Sequence, residues 1–129
     1  MMRPVVESVP YTPVEIKLRQ VSRVLEITFD NGETFQLPYE YLRVYTPSAE
    51  ATGHAPGQEV LQTGKEDVTI LDMRPVGQYG IAPRFSDGHA TGIYTWDLLY
   101  ALGRQHATLW SNYLQRLHAA GHTRRASSD

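Results

Sequence analysis

Two stretches of the chain follow one pattern, and that repetition constrains the fold more than any other feature. "FDNGETFQLPYEYL" begins at Phe29 and "FSDGHATGIYTWDLL" at Phe85. Each leads from phenylalanine to a glycine three residues on, Gly32 or Gly88, and then to an aliphatic five residues later, Leu37 or Ile93. An aromatic, leucine-bearing helix start follows in both. "DNG" at 30–32 and "SDG" at 86–88 are tight-turn signals, because Asn and Gly tolerate positive φ and Asp bonds nearby backbone. The repeat therefore reads as two strand–turn–strand–helix units, each with a further strand available. Two copies are too few for a solenoid. They suit one sheet with helices packed on one face.

The flanking pattern fills in the elements. "EIKLRQ" alternates with Ile16 and Leu18 on one face, and "RVLEITF" alternates through Ile27 and Phe29, as half-buried strands do. "ETFQL" is the return strand, and Pro38 suits the first turn of a short helix, "PYEYLRVY". Residues 46–67 form a long polar loop with room for one helical turn, a length more often functional or mobile than idle. "VTILDMRPV" and "YGIAPRF" are strands, the second weakened by Pro83, which favours an edge or a bulge. "HATGIY" reads as the next return strand. "TWDLLYAL" starts a helix with Thr95 as N-cap. Gly103 interrupts it, "RQHATLWSNYLQRLHAA" continues at helical spacing, and Gly121 ends it. The expected fold class is α+β: a mainly antiparallel sheet from two related halves, with a long C-terminal helix. Residues 1–13 form an extended arm, 14–121 one domain and 122–129 a disordered tail.

Composition narrows the function. A chain of 129 residues, 41% hydrophobic and 20% charged, suits one soluble globular domain with a real core. The 12 basic and 14 acidic residues leave a formal charge of −2, so no basic field attracts a phosphate backbone and nucleic acid is a poor partner. The basic pair Arg124–Arg125 is expected to be solvated. With no cysteine, disulfides, thiolate metal sites and cysteine nucleophiles are all excluded. No apolar run reaches the roughly 18 residues of a membrane span, and the start lacks a secretory core, which makes the cytoplasm the default location.

The stretches "EIKLRQVSRVLEITFDNGETFQLPYEYLRVYTPSAEATGHAPG" and "RPVGQYGIAPRFSDGHATGIYTWDLLYALG" resemble the domain found at the N-terminus of gamma-butyrobetaine hydroxylase. The resemblance covers roughly residues 14–103 and rests on "DNG", "LR", "PVG.Y", "F.DGH..G.Y.W..L" and the final "LG". It implies a domain without catalytic residues of its own. Such domains stand alone in small bacterial proteins, precede an oxygenase domain in the hydroxylases, or join a P-loop ATPase that carries iron–sulfur clusters. In the hydroxylases the domain holds structural zinc through three cysteines and one histidine. Those positions fall here at about Thr46, Ser48, Ala51 and His89, so one ligand of four survives. Zinc needs four good donors, and His54 would add only a second nitrogen. The resemblance thus implies that His89 hydrogen-bonds into the loop, with Thr46 and Ser48 filling the remaining space.

Other constellations weaken on inspection. Asp30 and Asp87 sit near equivalent turns, which points to turn chemistry rather than catalysis. "GQEVLQTGK" at 57–65 has the wrong spacing for a phosphate loop. His118 and His122 are split by the helix end. Glu50 and Glu59 lie in the long loop, within reach of Arg43 or Lys65. No serine sits in a nucleophile turn. Aromatics left exposed would be anchors for a partner protein, and Tyr45 beside loop 46–59 is the expected place. The function expected from the residues is non-enzymatic: an accessory domain that binds a protein through Tyr45, Thr46, Ser48, Glu50, His54, Glu59 and His89, within an iron–sulfur or oxygenase setting implied by the resemblance. The rivals are a metal-binding protein using His89, His54 and Glu50, and a small enzyme with a closed polar pocket. The first reading requires no cofactor. The stripe bearing Leu109 and Trp110 is compatible with a homodimer or with packing inside one chain.

Overall fold

Both turns of the repeat close with the same bonds. The structure, a computed structural model, describes residues 2–53 and 59–124, without the Glu50 side chain. In the first turn Phe29 N–H donates to Glu33 O (2.9 Å) and Gly32 N–H to Phe29 O (3.0 Å). In the second, Phe85 N–H donates to His89 O (2.9 Å) and Gly88 N–H to Phe85 O (3.0 Å). Gly32 and Gly88 have φ of +89° and +90°, where a Cβ would be strained. The equivalence runs further. Asp30 N–H donates to Thr12 O and Ser86 N–H to Thr69 O, both at 2.9 Å.

The first half contains β1 (Pro13–Arg19), β2 (Val24–Phe29), β3 (Thr34–Pro38), α1 (Tyr39–Val44) and α2 (Ala49–Thr52). The second contains β4 (Ile70–Val76), β5 (Gly80–Phe85), β6 (Tyr94–Thr95), α3 (Trp96–Arg104) and α4 (His106–Ala119). The α+β class and the two related halves are as expected, but each half builds its own antiparallel sheet, ordered β1-β2-β3 and β4-β5-β6. The strands pair only within their half. One link between halves is the Gln20 side chain, whose amide donates to Ile70 O (2.9 Å) while its oxygen accepts from Tyr39 and Thr69.

Alternation places the core. Leu25, Ile27 and Phe29 point inward from β2 and are fully buried, while Glu26 on the outer face pairs with Arg19. Strand β5 departs from expectation: it is central, not an edge, despite Pro83. It accommodates the proline because β6 pairs only with Gly80 and Ile81, so Pro83 lies beyond that ladder. The second return strand is correspondingly short, and residues 90–93 leave the sheet. Leu37 pairs with Leu25, and Tyr94 pairs with Ile81 at the equivalent place. Tyr94, not Ile93, is therefore the counterpart of Leu37. Tyr94 is fully buried, whereas Ile93 is 40% exposed. The second half carries one extra residue between turn and helix.

Buried tyrosines tie the helices down. Tyr41 donates to Leu102 O (2.8 Å), Tyr94 to Leu42 O, Tyr45 to Leu109 O (2.6 Å) and Tyr113 to Gln62 O (2.7 Å). Leu42 and Leu102 lie in the last turns of α1 and α3, where carbonyls lack intrahelical partners. Thr95 caps α3 as expected, accepting from Leu98 N–H at 3.1 Å. Gly103 does not break α3; the break falls at Gln105. Gly103 is glycine for a different reason, since a Cβ there would lie 2.3 Å from the Phe35 ring.

The arm runs along α3 and α4. Val5 exchanges two bonds with the Gln105 side chain, N–H to Oε1 at 2.9 Å and Nε2–H to Val5 O at 2.7 Å. Met2 N–H donates to Asn112 Oδ1 and Val9 N–H to Asp97 Oδ1. At the other end Arg124, expected to be solvated, pairs with Glu40. Residues 125–129 of the expected tail lie outside the described residues.

Gly103→Ala tests the packing. Helix propensity alone would favour alanine by about 1 kcal/mol. Overpacking against Phe35, typically about 1–3 kcal/mol, should outweigh that and leave a net loss of up to about 2 kcal/mol, read as a lower urea midpoint.

Candidate functional site

The loop that follows α1 meets the second turn of the repeat, and polar side chains collect there. Arg43, in the last turn of α1, is only 7% exposed. Its Nε–H donates to Asp87 Oδ2 at 2.9 Å and its Nη1–H to Gln62 Oε1 at 3.0 Å. Lys65 Nζ donates to the same Asp87 oxygen at 2.7 Å. The other oxygen, Oδ1, accepts the His89 backbone N–H at 3.1 Å. In the first half Asn31 Oδ1 accepts Glu33 N–H at 3.0 Å. Asn31, not Asp30, is thus the counterpart of Asp87. Both close the turn, as the repeat suggested, but the carboxylate has a second oxygen to spare for two cations.

Asp87 is held at a pKa of about 2. Burial alone would raise it, but hydrogen bonds from Lys65, the His89 backbone and Arg43, with the charge of Arg43, outweigh burial. Both cations are drawn to Asp87, which the turn fixes in place.

Beside this pair lies a hydroxyl cluster. His89 Nε2 and Thr46 Oγ1 are 2.9 Å apart, and Ser48 N–H donates to Thr46 Oγ1 at 3.3 Å. Ser48 and Thr91 hydroxyls are 2.7 Å apart. Gly92 closes over the cluster, since a Cβ there would lie 2.6 Å from Thr46 Oγ1. The extra residue of the second half is what carries Thr91 and Gly92 off the sheet to this loop. Thr46 is completely buried, and Ser48 and His89 are each 7% exposed.

Of the seven residues expected to meet a partner, Thr46, Ser48 and His89 come together, with Tyr45 next to them in sequence. All four are buried, so the expectation that they form a contact surface is corrected: they support the loop from inside. Tyr45 is 1% exposed, and burial raises its hydroxyl pKa to about 12. It points inward because the Leu109 carbonyl receives its proton. Glu59 is half-buried. Glu50 belongs to α2, but its side chain and all of His54 lie outside the described residues. Sequence reasoning missed Arg43, Asp87 and Thr91 as parts of one centre. The Asn31/Asp87 difference between repeats was the available signal.

The zinc that the resemblance implies does not fit these residues. Its positions carry two hydroxyls, the methyl of Ala51 and one imidazole whose Nε2 already faces Thr46. Among the described residues no group of three or more His, Cys, Asp or Glu could hold a metal ion.

Tyr79 is the large aromatic left exposed, at 53%. Its ring lies over Gly77, where a Cβ would approach to 2.9 Å. Its carbonyl accepts from Trp96 N–H, and the indole N–H of Trp96 donates to Gln78 O at 2.8 Å. This is a rigid, exposed tyrosine at one end of the second sheet.

Comparison with known proteins agrees with the architecture. The family described as "Gamma-butyrobetaine hydroxylase-like, N-terminal" matches residues 16–100. A protein solved in solution by NMR is 48% identical, with a TM-score of 0.79 over 96% of this chain and 91% of that one. A second NMR structure is 40% identical, with a TM-score of 0.76 over 91% and 92%. A crystal structure from Acidithiobacillus ferrooxidans, of a protein of unknown function in the DUF971 family, is 41% identical, with a TM-score of 0.60 over 70% and 91%. No curated protein matches the chain.

Two outcomes follow. Asp87→Asn keeps an acceptor for His89 N–H but leaves Arg43 without its counter-ion, and should cost roughly 1–3 kcal/mol at pH 7. A depressed carboxylate contributes stability above its unfolded pKa of 3.8 and loses it as pH falls toward about 2. Urea melts of the two proteins should therefore converge between pH 4 and pH 2. Elemental analysis of untagged protein should give no stoichiometric zinc, and added zinc should leave the melting temperature unchanged.

Proposed function

The chain belongs to the gamma-butyrobetaine hydroxylase-like N-terminal family, and from that premise we propose that it is a non-enzymatic, cytoplasmic interaction domain that docks on another protein. One observation carries this reading: the groups that could do chemistry are spent inside the fold. The Thr46 hydroxyl and His89 imidazole form a nucleophile-and-base pair only in appearance, because Thr46 is wholly buried and no substrate reaches it. Three surface grooves of about 350–400 Å³ among the described residues bring no histidine together with a hydroxyl and a carboxylate.

What remains on the surface suits contact. Tyr79 is a preorganised aromatic of the kind that anchors interfaces. Val60, at 53% exposure, projects from the long loop whose base is fixed by Val60 N–H donating to Ala51 O at 2.8 Å. Thr46, Ser48 and His89 hold that base. The partner belongs, by analogy with the family's settings, to iron–sulfur assembly or to an oxygenase system.

Tyr79→Ala and Val60→Asp, singly and together, test the reading. Both sites are exposed, so circular dichroism and melting temperature should stay near wild type. Proteins that co-purify with the wild type should be lost from the double variant. An unchanged set of retained proteins would refute the docking role.

A further inference from the structure

The C-terminal segment ends the helix and then doubles back. Gly121, at φ +78°, sets the reversal, with Gly121 N–H donating to His118 O (3.0 Å) and His122 N–H to Leu117 O (2.9 Å). Gly121, His122 and Thr123 are exposed, whereas Arg124 is not. Its guanidinium meets Glu40 through two bonds, Nε–H to Oε2 at 2.8 Å and Nη2–H to Oε1 at 2.6 Å. Glu40 lies on α1 and is 9% exposed. The guanidinium carbon sits 5.4 Å from the centre of the Trp110 ring on α4, and Glu66 lies near enough to add electrostatic attraction.

These parts form a receptor for one kind of group. A carboxylate meets the planar fork of a guanidinium edge-on, in the bidentate form that lysine cannot copy. An indole beside it adds a cation–π contact. Glu40 is also shared with a groove of about 350 Å³ lined by Ser22, Arg23, Pro38, Glu66 and Val68. The Arg23 charge is met there by Asp67 at 3.7 Å. The seat therefore continues into open surface with room for residues that flank an arginine. Beyond the backbone bonds of Gly121 and His122, Arg124 is the side chain that ties residues 121–124 to the seat, since the three residues before it face solvent.

We propose that the notch between Glu40 and Trp110 is an arginine-recognition site for a partner's peptide segment, which Arg124 of this chain occupies in cis and masks. The proposal rests on the interaction reading above and assigns a chemistry to a different surface from Tyr79. The tether gives Arg124 an effective concentration on the order of millimolar. An incoming segment must exceed that, so the tail sets a threshold on docking.

The test uses the full chain and two capped tripeptides, N-acetyl-Gly-Arg-Gly-amide and its lysine counterpart. Binding is read from the Trp110 indole N–H resonance in two-dimensional NMR. The arginine peptide should bind Arg124→Ala about tenfold more tightly than wild type, because the cis competitor is gone. The lysine peptide should bind the same variant several-fold more weakly, on the order of the loss of one bidentate contact. Adding Glu40→Gln to Arg124→Ala should abolish arginine binding. If that double variant fails to fold, Trp110→Leu in the Arg124→Ala background, followed through the backbone amide resonances of residues 39–44, should weaken it instead. Equal affinity of wild type and Arg124→Ala, or equal binding of the two peptides, overturns the proposal. Either result leaves the Tyr79-dependent co-purification standing, and loss of the latter would leave peptide binding intact.

Discussion

The Arg43–Asp87 pair is the interaction on which the rest of the molecule depends. A guanidinium taken out of water is costly unless its donors and its charge are met. Arg43 has its charge met because the second turn of the repeat presents a carboxylate at the end of α1. That contact fixes the first half against the second. Around it gather further bonds that cross the halves: Tyr94 to Leu42, Tyr41 to Leu102, Thr46 with His89 and Ser48 with Thr91. These four involve residues 41–48 and 89–102. Two sheets that share no ladder are joined by a short helix and the loop behind it.

The repeat explains both the symmetry and where it fails. A hairpin closed by an Asx side chain and a left-handed glycine works equally well with Asn31 or Asp87. Only the acid can also bind Arg43 and Lys65. A single added residue before β6 shortens that strand and frees Thr91 and Gly92 to cover the Thr46 hydroxyl. Two small differences between copies thus turn an ordinary turn into the junction of the domain.

Much of this was legible in the amino acids where the cause is local. Alternation located Ile27 and Phe29, the Asp-Gly and Asn-Gly pairs located the turns, and Thr95 and Gly121 marked helix ends. What escaped depends on partners distant in sequence. Ile93 matched Leu37 by residue type, yet the register puts Tyr94 there, because an aromatic with a hydroxyl can fill the core and still reach Leu42 O. Pro83 signalled an edge or a bulge; the strand is central, its ladder with β4 shifts register between Ile70 and Asp72, and the shortness of β6 leaves Pro83 beyond the other ladder. Gly103 resembled a helix breaker while its role is to admit the Phe35 ring. Tyr45 resembled a surface anchor until a carbonyl 64 residues away accounted for its hydroxyl. Thr46 and Ser48 do gather with His89, but burial cannot be read from polarity when hydroxyls satisfy one another.

The N-terminal arm is gripped by two side-chain amides and a carboxylate that imitate a neighbouring strand. Gln105, Asn112 and Asp97 grip main-chain atoms of Val5, Met2 and Val9, and ask nothing of the arm's own side chains. Such a clasp is blind to composition but strict about imino acids. Pro4, Pro10 and Pro13 stiffen the arm, and each falls where no amide hydrogen is needed. The stretch from Met2 to Val9 is therefore free to diverge so long as those three amide-bearing positions never become proline, whereas Tyr11 and Thr12 are held by their own side chains against Tyr100 and Asp30.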